Sequence, residues 1–386
     1  MVDYNDFLIK AREYLHSIPE LGRKEFKTQK CIIDTLEKLG IKYYKIDTST
    51  VAVIEGKNIK GKVLGYRADI DALPIFEKNN KPYRSMHDGI MHACGHDAHT
   101  AIALGICKYF SENNNFNGIL KVFFQMDEEG DGGALKMIES GCLKSPDVEY
   151  VLGLHVTSGL DTGKIEIKRG TESGASDTFD IKIKGKSAHG AAPHCGKDAI
   201  LTSCHLVLAL QSIVSRNISP HDNCVLTIGK IHGGEAGNII CNEVDLKVNI
   251  RTVKKSTRDY VIKRIYEITE NTCKAFDGDF EIVHHKGYEF LINNDFMTDT
   301  IISSAENLLG KENVFMREEI DLGVEDFCYF AKYSKGGFYH LGCRNEKLGI
   351  TSGGHTDTFD IDPASLNIGF NLSLNILKKL FNEMEK

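Results

Sequence analysis

No uninterrupted apolar run in this 386-residue chain approaches the ~18 residues that a membrane span needs. No charged-then-apolar leader precedes the first amphipathic pattern, in which Phe7, Ala11, Tyr14 and Leu15 recur on one helical face. Neither a membrane partner nor secretion is therefore expected. Basic charge is not in excess either. The 47 Lys and Arg are outnumbered by 54 Asp and Glu, and no basic stripe offsets the net charge of −7. Nucleic acid, which rewards a basic surface, is not an expected partner. Long polar tracts, low-complexity segments and fixed-period repeats are missing too, which excludes disorder and solenoid folds. The 11 cysteines are odd in number and scattered. Without a leader they point to reduced thiols and a cytoplasmic protein.

What is present suits a soluble protein of two ordinary domains, with 41% apolar and 26% charged residues. The residue spans 62–67, 119–125 and 150–156 are short and apolar at nearly every position, as in strands covered on both faces. Helical patterns fall at 96–113 and 133–140. Near Ser176 the pattern changes to strict alternation, with Phe179, Ile181 and Ile183, and later Val244, Leu246, Val248 and Ile250. Such alternation predicts an antiparallel sheet with one wet face. Helices at 198–215 and 257–275 and strands at 225–231 and 280–283 complete a β-α-β-β-α-β order. The α/β character returns in a strand at 336–341 and a closing helix at 363–381, with Pro363 in its first turn. The expected fold class is α/β with two domains. A mixed sheet flanked by helices is formed by 1–174 and 287–386, and an inserted α+β ferredoxin-like domain by 175–286.

Five segments carry chemistry, each at or after a predicted strand end, where open α/β sheets build their sites. Asp69 and Asp71 follow the first buried strand. Taken alone they could be turn and cap carboxylates. The span Met91-His-Ala-Cys-Gly-His-Asp-Ala-His-Thr100 crowds Cys94, His96 and two further histidines into one loop, with Gly95 allowing a tight turn. Thiolate and imidazole at that spacing suit zinc and similar ions. Asp127, Glu128 and Glu129 stand together at the end of an apolar strand, where three acids are costly without a nearby positive charge. One such acid can ligate a metal while its neighbour serves as base. His155 sits in Gly153-Leu-His-Val156 and His355 in Gly353-Gly-His-Thr-Asp-Thr-Phe-Asp360. Each alone reads as an ordinary core or loop histidine. Together Cys94, His96, Glu129, His155 and His355 make a plausible shell for two ions about 3.5–4 Å apart.

These strings, with Arg67-Ala-Asp-Ile-Asp-Ala-Leu-Pro74, Gln125 through Gly130 and Gly185-Lys-Ser-Ala-His-Gly-Ala-Ala-Pro-His194, resemble the M20 metallopeptidase family. The likeness is to its amidohydrolase branch of hippurate hydrolases, N-acyl-amino-acid amidohydrolases and auxin-conjugate hydrolases, and it runs from about His16 to the C-terminus. The resemblance implies a catalytic domain with an inserted lid and dimerisation domain, a homodimer or homotetramer, and two divalent ions (manganese, zinc, cobalt or nickel). It implies Cys94, His96, Glu129, His155 and His355 as ligands, Glu128 as general base and Asp69 as the acid that steadies a ligand. In the lid it implies His189, reaching the active site of a partner subunit, and Asn238 and Arg251 near substrate. This chain departs from the family pattern at Met126-Asp127, at Cys241 and at Asp357-Thr358, which puts inherited specificity in doubt.

The expected activity is metal-dependent hydrolysis of the amide bond of small N-acyl amino acids, N-acetyl or N-aroyl. Narrower alternatives on the same site are an N-acetyl-diaminopimelate deacetylase, an aminobenzoyl-glutamate hydrolase or a dipeptidase, for which Asp127 could receive a substrate ammonium. A non-enzymatic metal or redox sensor using the Cys-Gly-His loop is the remaining alternative.

Overall fold

The apolar runs become the middle of one twisted sheet. The structure is a computed structural model and describes residues 2–382. In chain order its strands are β1 (Lys42–Ile46), β2 (Ser49–Glu55), β3 (Asn58–Asp69), β4 (Asn117–Gln125), β5 (Tyr150–Asp161), β6 (Ile165–Ile167), β7 (Gly170–Ser173), β8 (Ala175–Lys184), β9 (Cys224–Gly233), β10 (Glu243–Thr252), β11 (Asp279–Lys286), β12 (Leu291–Asn293), β13 (Val314–Met316) and β14 (Lys335–Arg344). The α-helices are α1 (Asn5–Ser17), α2 (Phe26–Lys38), α3 (His96–Glu112), α4 (Ala134–Glu139), α5 (Ala199–Ser212), α6 (Lys255–Ala275), α7 (Asp295–Leu309), α8 (Phe327–Tyr333) and α9 (Ala364–Asn382).

The described chain forms two compact units. The first comprises 2–172, 292–319 and 326–382, and the second 173–291 and 320–325. The first unit carries an eight-stranded sheet in the order β1-β2-β4-β3-β5-β14-β6-β13. Its centre, β4-β3-β5-β14, is parallel, and antiparallel pairings join β1 to β2, β2 to β4 and β14 to β6. Among the central strands β4 and β14 are buried along nearly their whole length, β3 over its second half and β5 over its first, and these buried stretches read as continuous apolar runs. The outer strands β1, β6 and β13 escape sequence reading because they are three to five residues long.

Helices α1, α3 and α9 pack on one another and on the sheet in a single large core. The buried face of α1 is Leu8, Arg12, Leu15 and His16, with Tyr14 exposed. The expected stripe is thus turned by one residue, because two polar side chains go inward to partners that periodicity cannot reveal.

In the second unit β8, β9, β10 and β11 form an antiparallel sheet in the order β11-β8-β10-β9. Phe179, Ile181, Ile183, Val244, Leu246 and Val248 face α5 and α6 in a separate core. The opposite face carries ion pairs such as Lys247 with Asp180 and Lys182 with Glu243. That one-wet-face construction is the source of the alternation. The segment 199–217, α5 with a short extension, is long and apolar enough by length and composition to cross a membrane. It is not an uninterrupted apolar run, because Thr202, Ser203, His205 and Gln211 interrupt it. In the structure it is a helix of this unit, with Leu206, Leu210 and Ile213 in the core.

Candidate metal centre

The site gathers at the C-terminal ends of β3 and β4, at the middle of β5 and at the start of α3. The turn into α3 needs Gly95. Its φ is +87°, and a Cβ there would stand 2.3 Å from Val156 Cγ2. This close approach brings Cys94 Sγ to 3.3 Å from His155 Nε2. The His155 Nδ1–H donates to the Val156 carbonyl, so Nε2 keeps its lone pair towards Cys94. Burial, reinforced by His99, pushes the His155 pKa well below its ordinary value, which leaves a neutral ring.

His96 Nδ1–H donates to Asp71 Oδ1 at 3.1 Å, and Asp71 Oδ2 accepts the backbone N–H of Glu129 at 2.9 Å. Asp71 thus ties two candidate ligands together. The free His96 Nε2 faces Asp69 Oδ2 at 3.8 Å and one oxygen each of Glu128 and Glu129 at 4.0 Å. Glu129 Oε1 is in turn 3.1 Å from His355 Nε2. Cys94, His96 and His155 have ligand atoms within 4.8 Å of one another, as do Cys94, Glu129 and His355, and His96, Glu128 and Glu129. The five expected ligands and Glu128 therefore share one cleft of the first unit.

Two further features show that this donor set fits divalent cations. His96 Nε2 is a buried polar atom without a hydrogen-bond partner, an uncommon and costly state. Burial opposes charge on His96, yet Asp69, Asp71 and Cys94 outweigh it and raise its pKa well above the usual value. The acids around Nε2 thus favour positive charge at that atom, and sulfur, imidazole and carboxylate together suit borderline metals. His355 lies in a left-handed backbone conformation, φ 60°, unusual for a residue with a side chain. Its N–H donates to the Ala93 carbonyl, which draws its loop onto the Cys94 loop.

Asp69 plays a different part from the expected one. It accepts from His99 Nδ1 at 2.6 Å and from Arg67 at 2.6 Å, whereas the bond to His96 comes from Asp71. His99 Nε2 accepts the Val156 N–H, so Nδ1 carries the ring proton. Burial would raise the Asp69 carboxyl, but Arg67, His96 and His99 hold it well below its ordinary range. Arg67, fully buried, also bonds Gln125 and Asp326, and Asp326 accepts the N–H groups of Gly133 and Ala134 at the start of α4. Asp71 could have been found from the Asp-x-Asp spacing. The Arg67–Asp326 pairing joins residues 259 positions apart and leaves no local signal.

The profile of peptidase family M20/M25/M40 matches residues 65–379. The chain belongs to this family. A hippurate hydrolase of Campylobacter jejuni is 36% identical over 338 residues, covering 87% of this chain and 88% of that protein. An N-acetyl-L-cysteine deacetylase of Bacillus subtilis is 38% identical over 338 residues, covering 87% and 80%. A solved Bacillus subtilis structure, described as a dinuclear metal binding peptidase from the M20 family, superimposes with a TM-score of 0.85 at 27% identity, covering 98% of this chain and 99% of that one. The chain is thus a metal-dependent hydrolase of the M20 metallopeptidases and amidohydrolases, and the sensor alternative falls away.

Within this M20 chain the distinctive Asp127 is taken up by structure. Its carboxylate accepts from Arg23 Nε at 2.6 Å, and its N–H donates to the buried Glu25. Oδ1 is wedged where a Cβ on Gly22 or Gly130 would come within about 2 Å of it. His189, Asn238 and Arg251 all belong to the second unit. There Gly190 N–H donates to the Asn238 carbonyl and His189 pairs with Ile239, so His189 and Asn238 sit on adjoining loops. Arg251 is at the opposite end of that sheet, paired with Ser176, whereas the His189 loop follows Lys184. Cys241 is buried, with its thiol on the Glu243 carbonyl.

Proposed function

We propose that this M20 enzyme hydrolyses the amide bond of N-acyl amino acids, releasing a carboxylic acid and a free amino acid. The observation that carries this reading is Glu128, a buried carboxylate 4.0 Å from the unpartnered His96 Nε2 and beside the other candidate ligands. Cys94, His96, Glu129, His155 and His355 would hold two divalent ions, drawn from manganese, zinc, cobalt or nickel. When bound, such ions polarise the amide carbonyl and acidify the attacking water. Glu128 accepts the proton of that water and delivers it to the leaving nitrogen. Asp71 fixes the tautomer and tilt of His96, and Asp69 fixes those of His99.

The second unit serves as lid and dimerisation domain. Two observations support this: β9 is an edge strand carrying half-exposed Val225 and Ile231, and α5 leaves Leu208 73% exposed. His189 acts from the partner copy and steadies the oxyanion, and Asn238 and Arg251 lie near the bound substrate. The odd count of eleven scattered cysteines supports a cytoplasmic setting. The names of the relatives support N-acetyl and N-benzoyl amino acids as substrates. Dipeptides are disfavoured because Asp127 is engaged by Arg23.

The test is a panel of N-acetyl and N-benzoyl amino acids and dipeptides, each with manganese, zinc, cobalt or nickel added. Metal-dependent release of amino acid is expected from the acylated substrates. Hydrolysis of dipeptides alone would overturn the substrate assignment. Mixing His189→Ala with Glu128→Gln subunits is expected to restore activity. No recovery after proven subunit exchange would remove the role of His189 in trans.

A further inference from the structure

The N-terminal 64 residues lie outside the family match, and the described ones among them supply no candidate ligand. They nevertheless place a buried cation between two of the ligand-bearing loops. Arg12, on the inner face of α1, is 2% exposed. Its Nε donates to Asp97 Oδ2 at 2.7 Å, and its Nη2 lies 2.9 Å from Asp360 Oδ1. Asp97 directly follows His96, and Asp360 closes the loop that carries His355.

The guanidinium lies 5.0 Å from the centre of the Tyr83 ring, and Tyr83 Oη donates to Asp360 Oδ2 at 3.1 Å. His16, one turn further along α1, bonds Asp97 at 2.7 Å and Glu77 at 3.3 Å. Lys81 is 3.2 Å from Asp360 Oδ2. Residues 351–362 form neither helix nor strand, so side-chain and loop contacts must set their position.

We infer that Arg12 is a positioning residue that clamps the His96 and His355 loops to one another and so sets the spacing of the metal ligands. The inference rests on the ligand set proposed above. Only a planar fork can reach both carboxylates at once. Without it Asp97 and Asp360 face one another as buried like charges, and separating them carries His96 and His355 apart. Groups that orient ligands from behind are typically worth about 10–100-fold in metal affinity.

The test uses the full chain, stripped of metal and titrated with cobalt(II) while the thiolate and ligand-field absorption bands are followed. Wild-type protein is expected to take up two equivalents, with a thiolate band that Cys94→Ala removes. Arg12→Met is expected to bind cobalt at least about 10-fold more weakly, with shifted ligand-field bands. If Arg12→Met does not fold, Arg12→Lys keeps the charge without the fork and is expected to show the same shift. Arg258→Met breaks a buried pair with Asp177 in the second unit and serves as the control for simple loss of stability. It is expected to leave cobalt affinity and bands unchanged. Normal uptake with unaltered bands in Arg12→Met, or in Arg12→Lys, overturns the clamp alone. Failure of the wild-type chain to bind cobalt overturns the ligand assignment, and the clamp with it.

Discussion

Removing the buried cation beneath the site should be expensive, and the structure bounds how expensive. In Arg67→Met, Asp69 and Asp326 lose donors at 2.6 and 2.7 Å, and Gln125 loses its partner at 2.8 Å. Both carboxylates remain buried. Each keeps some support, Asp69 from His99 and Asp326 from Gln125, Gly133 and Ala134. The alternative to a stranded charge is proton uptake. From an ordinary aspartate pKa, that costs about 4 kcal/mol per group at pH 7, which sets a ceiling on each loss. Breaking one partner of a buried pair is worth about 3–5 kcal/mol, and that is the loss expected at pH 7.

The sign of the pH dependence follows. In the wild type Arg67 depresses the folded-state pKa of Asp69, so its contribution is present above the unfolded pKa and is lost as pH falls. In the variant the stranded carboxyls have raised pKa values, so acid relieves them. The difference between the two proteins should therefore narrow from pH 7 towards pH 5. The assay is urea unfolding followed by circular dichroism on metal-free protein, comparing the transition of the first unit. A loss below about 1 kcal/mol, or a gap that does not change with pH, would refute the reasoning.

Glu128→Gln is expected to lose at least ~10²-fold in kcat while metal analysis still finds two ions; near-normal turnover would remove Glu128 as the base. Gly95→Ala meets both the +87° φ and the 2.3 Å approach to Val156, so it should lose metal affinity and about 1–3 kcal/mol of stability, and a normal cobalt titration and unfolding curve would count against it. For His16, burial and Arg12 lower the pKa, but Asp97 and Glu77 outweigh them and raise it above its ordinary value. Its stabilising effect should be full below the unfolded pKa and fade as pH rises through the folded one, so the stability gap between wild type and His16→Gln, measured by urea unfolding, should shrink in that direction.

The sequence by itself determined the features that neighbours along the chain decide. Buried strands announce themselves as apolar runs and the one-sided sheet by alternation, because side-chain direction repeats every two residues. Cys94 and His96 share one short glycine turn, and Glu128 adjoins Glu129, so their association needed no fold. Tertiary structure alone decided the rest. Whether Asp69 or Asp71 holds His96 depends on how β3 meets α3, since both acids leave the same strand end. Asp127, which as a string could greet a substrate ammonium, turns to Arg23 more than a hundred residues away. Tyr14 faces solvent and Arg12 the interior because Asp97 and Asp360 wait there, brought close only by folding. A buried charge goes where its counter-charge is, and distance along the chain says nothing about that.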